Sequence, residues 1–228
     1  MDLLMGNKFK RFMIACIHAT PLAIGPVSHA FHVLVPNWEF RDIIEERLFD
    51  LQGKGEEAFK IFFKILKQAE SSECDAILTT CSLYTQYLPK IRRNMSKPTL
   101  GIDEPMIEKA ITIGGNIALV GSLPSAIETT ANLIQKYAAL NKKTVDLSNR
   151  VIVEANICST QEGLKRFADQ LRQLKRIAEG IVIVQASLSG VSELLSSEEN
   201  ERILTSPRLA VAKLRSILEG KSLKEHDK

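Results

Sequence analysis

The chain has 228 residues, 45% of them hydrophobic and 25% charged, which excludes a disordered polymer and fits one large domain or two smaller lobes. A formal charge of +3 and 6% aromatic residues exclude a nucleic-acid partner; the basic run Lys90-Ile91-Arg92-Arg93 is short and suits a solvated helix end. Cys16, Cys74, Cys81 and Cys158 form no CxxC pair, which excludes a zinc ribbon or a thioredoxin-type site, and their spacing suggests no disulfide framework.

Residues 1–10 read as a loose tail. Lys8, Lys10 and Arg11 precede an apolar run as in a signal peptide, but only four residues separate Arg11 from Cys16, too few for an export core. The run beyond carries His18, Pro21, Pro26, Ser28 and His29, so no membrane span is expected, and reduced thiols in a cytoplasmic setting are the simpler reading. Residues 12–17 form the first expected strand, with a loop at 18–21 and a helix over 26–34. Val35-Pro36-Asn37 breaks the chain before a short strand within 38–44. After a flexible loop at 52–55, Phe59, Phe62, Phe63 and Leu66 repeat at helical spacing and predict an amphipathic helix over 56–69. A buried strand follows at 76–80, then a helix over 84–93, a strand over 97–102 ending at Asp103-Glu104-Pro105, and a helix over 106–113.

The strand at 76–80 lies inside CDAILTTCSL, residues 74–83. A short apolar run bounded by small polar residues reads as a parallel strand buried on both faces. Cys81 stands at its carboxyl end, where open α/β sheets bind ligands. It is the candidate catalytic thiol; the alternative is a structural cysteine, a residue type commonly buried.

Gly114-Gly115 interrupts the pattern, and the chain then starts again. Ile14-Ala15-Cys16-Ile17 with Pro21 matches Ile117-Ala118-Leu119-Val120 with Pro124. Ile77 to Cys81-Ser82-Leu83 matches Ile181 to Ala186-Ser187-Leu188, and Glu104-Pro105 matches Ser206-Pro207. Three matches in one order imply an α/β protein of two pseudo-symmetric lobes with parallel sheets and the active site in the cleft between them. The expected division is residues 11–103 plus 209–228 for the N-terminal lobe and 104–208 for the C-terminal lobe. In such a cleft, Thr20, Ser82, Ser122, Ser125 and Ser187 would place hydroxyls beside helix N-termini and suit a carboxylate, although any one of them could simply cap a helix. A helix N-terminus would also lower the thiol pKa of Cys81. His18 ends strand one and is the nearest acid–base partner, or else a loop histidine bonded to backbone. His29 and His32 lie three apart on one helix but lack a third ligand, so no metal site is expected. No GxGxxG follows a strand, which weighs against a dinucleotide fold.

The pieces TTCS at 79–82, GIDEPM at 101–106, IALVGSLPSAIETT at 117–130, VQAS at 184–187 and TSPRL at 205–209 resemble, in order and spacing, the Asp/Glu racemase superfamily. That superfamily also includes hydantoin racemases, maleate isomerases and arylmalonate decarboxylases, and the resemblance runs from Phe12 to about Leu218. It implies a cofactor-independent enzyme whose two lobes enclose a small carboxylate, with one cysteine from each lobe moving protons on opposite faces of the α-carbon. Cys81 matches the first-lobe cysteine, whereas Ala186 stands where the second is expected. Ser82-Leu83 replaces the Asn-Thr pair of glutamate racemases, and residues 18–21 lack their Asp-Ser-Gly, which argues against glutamate or aspartate as substrate. Similar proteins carry a loop over the cleft near Cys158 and Glu162, so Cys158, Glu162 or His18 would be the second acid or base; Cys158 is otherwise a small packing residue. The expected function is an isomerase or lyase, racemase-like or decarboxylase-like, acting at the α-carbon of a small carboxylic acid. The alternative is an anion-binding or regulatory protein that has lost catalysis. A homodimer is left open.

Overall fold

The structure, a computed structural model, describes residues 11–226 apart from Gln52; the tail expected at 1–10 lies outside the described residues. In chain order the first half comprises β1 (Met13–His18), α1 (Ile24–Leu34), β2 (Glu39–Ile44), α2 (Arg47–Asp50), α3 (Gly55–Ser71), β3 (Ala76–Thr79), α4 (Ser82–Thr85), α5 (Leu88–Ile91) and β4 (Thr99–Gly101). The second half comprises α6 (Glu104–Ile113), β5 (Gly115–Gly121), α7 (Pro124–Leu140), β6 (Val145–Asp146), β7 (Arg150–Ile152), α8 (Gln161–Leu174), β8 (Gly180–Ile183), α9 (Ser197–Arg202), β9 (Ile203–Thr205) and α10 (Ser206–His226).

The strands and helices expected over residues 12–113 appear near their expected places, with one departure. The helix read over 84–93 is instead α4, α5 and a 3₁₀ turn at Arg92–Asn94. Pro89 causes the break: it has no N–H to donate and sits in the first turn of α5, where that loss costs nothing. The strand beside β5 is divided into two short pieces, β6 and β7, which pair with opposite ends of β5.

All strand pairs are parallel. The first sheet has the order β2-β1-β3-β4; the second repeats it as β6-β5-β8-β9, with β7 also on β5. Every residue of β3, β4, β8 and β9 is buried, as parallel strands covered on both faces require. On one face of the first sheet, Phe62, Ile65 and Leu66 of α3 pack on Ala15, Ile17 and Ile77. On the other, Val27, Ala30 and Phe31 of α1 meet Ala210, Val211 and Leu214 of α10 over Ile14, Cys16 and Leu78. Cys16 is therefore a core residue, its thiol driven up first by burial and then by Asp42. In the second sheet, α6 and α7 cover one face and α8 the other.

The chain passes from one sheet to the other twice, after β4 and after β9. At the start of the second half, Gly114 and Gly115 have φ of 69° and 61°, backbone that L side chains rarely adopt, so glycines supply the restart that the repeat marks.

Candidate active site

The carboxyl ends of β1, β3, β4, β5, β8 and β9 converge on one cavity of about 290 Å³. Thr20 comes from the loop after β1, Cys81 and Ser82 from the junction of β3 with α4, and Asp103 from the end of β4. The second half supplies Ser125 and Thr129 of α7, Gln185, Ala186 and Ser187 after β8, and Ser206 after β9. Leu22, Phe49 and Leu123 stand at this cavity with 71%, 58% and 52% of their surfaces exposed, an apolar border around a polar floor.

Cys81, Ser82, Thr20, Ser125 and Ser187 are thus brought together as expected from the sequence. Ser122 is not part of the lining. Its N–H donates to Gln185 Oε1 at 2.6 Å and its hydroxyl to the same atom at 3.1 Å, while the Leu123 N–H donates at 3.3 Å. Of the second-lobe hydroxyls expected to hold an anion, that of Ser122 is thus spent on the chain's own amide, while Ser125 and Ser187 line the cavity.

Neither His18, Cys158 nor Glu162 lines the cavity. The His18 side chain is fully buried one layer behind it: Nε2 lies 2.8 Å from Asp42 Oδ1 and Nδ1 lies 2.9 Å from the hydroxyl of Thr80, which does line the cavity. Burial lowers the His18 pKa against the opposing pull of Asp42. Cys158 borders a different cavity with Sγ 3.6 Å from the Leu188 carbonyl, its thiol raised by burial. Glu162 is exposed in the first turn of α8. His29 Nε2 lies 3.3 Å from Glu193, His32 is bonded to Ser28, and no cluster of potential metal ligands occurs among the described residues.

The thiol of Cys81 departs from the expectation of a lowered pKa. It is pushed up to about 11, first by burial, with Asp103 adding to the rise; the Leu83 N–H pulls the other way. The helix that follows has only four residues, too short for its dipole to offset desolvation. Asp103 is the feature the sequence reading missed. It is 2% exposed, and its carboxyl is pushed up to about 6, first by burial and also by Glu104, against the hydroxyls of Ser82 and Ser206. Among the lining residues only Cys81 and Asp103 carry a titratable group, and none is Lys, Arg or His. The available signal was an acid two residues after the fourth strand of the lobe, in GIDEPM; its significance depends on burial, which a single sequence does not display.

The internal repeat also acquires a one-residue shift. Thr80 N donates to Ile17 O at 2.9 Å, and Val184 N donates to Val120 O at 2.9 Å, so these two residues are equivalent in register. The next residues, Cys81 and Gln185, each precede a helical turn as its N-cap. By sequence motif the counterpart of Cys81 is Ala186; by backbone register it is Gln185. Neither carries a proton that chemistry at neutral pH could use.

A family model described as Asp/Glu/hydantoin racemase matches residues 12–214. Among solved structures, allantoin racemase from Klebsiella pneumoniae superposes with a TM-score of 0.67 at 14% identity, covering 91% of this chain and 88% of that one. Maleate isomerase from Pseudomonas putida gives 0.61 at 10% identity, covering 92% and 94%. A sulfate-associated mutant of arylmalonate decarboxylase gives 0.64 at 12% identity, covering 88% and 91%. No curated protein matches the sequence. Three different reactions on one backbone mean that these likenesses fix the fold and leave the chemistry to the residues.

Proposed function

Because the chain belongs to the Asp/Glu/hydantoin racemase family, we propose that it is an isomerase or lyase acting at the α-carbon of a small carboxylic acid with a single catalytic thiol, Cys81. The observation that carries this reading is the asymmetry of the cavity: Cys81 lines it from the first lobe, and at the corresponding places of the second lobe it is lined by Gln185 and Ala186. A racemase that removes a proton on one face and returns one on the opposite face needs an acid–base group on both walls. One wall alone serves decarboxylation with protonation, or a proton shift along one face. With its thiol at about 11, Cys81 rests protonated and begins as the proton donor.

The substrate carboxylate would be held by the hydroxyls of Thr20, Ser82, Ser125 and Ser187, with the developing enolate stabilised by the same donors. The border of Leu22, Phe49 and Leu123 favours an alkyl or aryl substituent on the α-carbon over a second charged arm. The test is to incubate the protein in heavy water with α-substituted mono- and dicarboxylic acids, following deuterium incorporation and loss of carbon dioxide. Cys81→Ala should lose at least 10²-fold of any activity found. If no acid exchanges or is consumed, the enzymatic reading fails.

A second reading, an anion-binding module without turnover, is favoured by one observation: a buried thiol at about 11 carries almost no thiolate at neutral pH. It expects the acids to raise the melting temperature without being changed.

A further inference from the structure

We infer that Asp103 is a second catalytic proton carrier of this cavity and that it shares a single proton with Cys81. The geometry begins in the sheet. β3 and β4 pair in parallel with Thr79 opposite Gly101, and Ile102 N continues the ladder to Thr79 O at 2.9 Å. Two residues beyond that pair, past the end of each strand, come Cys81 and Asp103, each the N-cap of the helix that follows and near enough for the Asp103 charge to act on the thiol. Both line the cavity. Asp103 is almost wholly buried, yet its Oδ2 has no hydrogen-bond partner. A buried carboxyl oxygen left unpaired at a cavity wall costs free energy, and such expense concentrates where a ligand or a proton completes the site.

The charged and titratable surroundings are few. Glu104 of α6 and Cys81 face Asp103, along with the hydroxyls of Ser82 and Ser206; Tyr84 and Asp103 face Cys81. No cation contributes to either shift, and Arg92 is committed to Glu104. With the carboxyl near 6 and the thiol near 11, the pair holds one proton across the whole interval between. Wherever that proton sits, one member is an acid and the other a base.

The step balances without a co-reactant. The Asp103 carboxylate takes the proton from the substrate carbon: the C–H bond breaks, an O–H bond forms, and the electron pair enters the substrate carboxyl as an enolate. The Cys81 S–H bond then breaks and its proton forms the new C–H bond, leaving a thiolate. Transfer of the proton from Asp103 to the thiolate, the stronger base, restores the starting pair. Both carriers come from the first-lobe wall, so the proton leaves and returns on one face, giving exchange or a shift without inversion.

This assignment rests on the proposed α-carbon chemistry, but its first test needs no substrate. Alkylation of Cys81 by iodoacetamide is followed by peptide mass spectrometry from pH 5 to 10.5 in wild type, Asp103→Asn and Asp103→Glu, with circular dichroism confirming the fold. Wild type should change slope near pH 6. Asp103→Asn should lose that bend and be alkylated faster than wild type at alkaline pH, because the neighbouring negative charge is gone; Asp103→Glu should keep the bend. Superimposable wild-type and Asp103→Asn profiles overturn the shared proton, whatever the acids do. In the heavy-water assay, Asp103→Asn should cut exchange by at least 10²-fold while wild type retains enantiopurity. Exchange that survives Asp103→Asn, or inversion by wild type, overturns the catalytic role. A coupled alkylation profile with no exchange from any acid sinks the enzymatic reading of the cavity, the catalytic role of Asp103 with it, and leaves the shared proton standing.

Discussion

Cys81 and Asp103 differ in how far a sequence can reveal them. Cys81 sits at the end of an apolar strand run, a position that already has meaning in the bare sequence. Asp103 follows a strand too, but its character comes from being shut away from water with no cation beside it. Desolvation also reverses the expected direction of the Cys81 shift, because a four-residue helix supplies a weak dipole. The cost of Asp103 has a definite pH dependence. An unfolded Asp ionises at about 3.9 and the folded one at about 6, so between those values the folded chain binds more protons and stability falls as pH rises. Asp103→Asn should therefore be more stable than wild type at pH 7.5, by up to about 3 kcal/mol, and the gain should vanish by pH 4. Urea melts at the two pH values measure it; an equal difference at both would mean that charge burial is not the cause.

At the scale of elements, the amphipathic α3 was legible because its period is strong: Phe62 and Leu66 are fully buried and Phe59 and Phe63 half-buried along one seam. The short pieces were not. α4, α5, β6 and β7 have between two and four residues each, too few for any periodicity to register. What holds such pieces is long-range, and Glu104 is the clearest case. Its Oε2 accepts the Gly101 N–H at 2.8 Å and pairs with Arg92, which in turn donates to the Thr99 carbonyl at 2.7 Å; Tyr137 of α7 donates to Oε1 at 3.3 Å. One carboxylate thus ties the end of β4 to the segment after α5 and to the second-lobe α7. Glu104→Ala would strand a half-buried arginine and two further donors, the Gly101 N–H and the Tyr137 hydroxyl. It should cost about 3–5 kcal/mol in chemical denaturation, whereas removal of the exposed Glu56–Lys60 pair on α3 should change stability by less than about 1 kcal/mol.

For the whole molecule, the repeat read from the sequence returns as two sheets of the same strand order, so the architecture was open to inspection from three short matches. The facing residue was less so, since sequence motif and hydrogen-bond register differ by one position at Ala186 and Gln185. Gln185 is committed to Ser122 and Leu123, whereas Ala186 makes only packing contacts with the core under α1 and α10. Ala186→Cys is therefore the substitution that adds a proton carrier to the bare wall without uncapping a loop. It should convert one-faced exchange into inversion, raising racemisation by on the order of 10²-fold over wild type as read by chiral chromatography; unchanged enantiopurity would show that the second wall does not reach the α-carbon. The two crossings between sheets have a mechanical meaning as well. They fall after β4 and after β9, and the residues found there, Asp103 and Ser206, face each other on the cavity floor. Any swing of one lobe against the other turns about the line through these two points, where displacement is smallest. Leu22, Phe49 and Leu123 are the exposed apolar residues at the cavity's edge. A swing about that line would open or close the cavity at this edge while Cys81 and Asp103, both from the first sheet, kept their spacing.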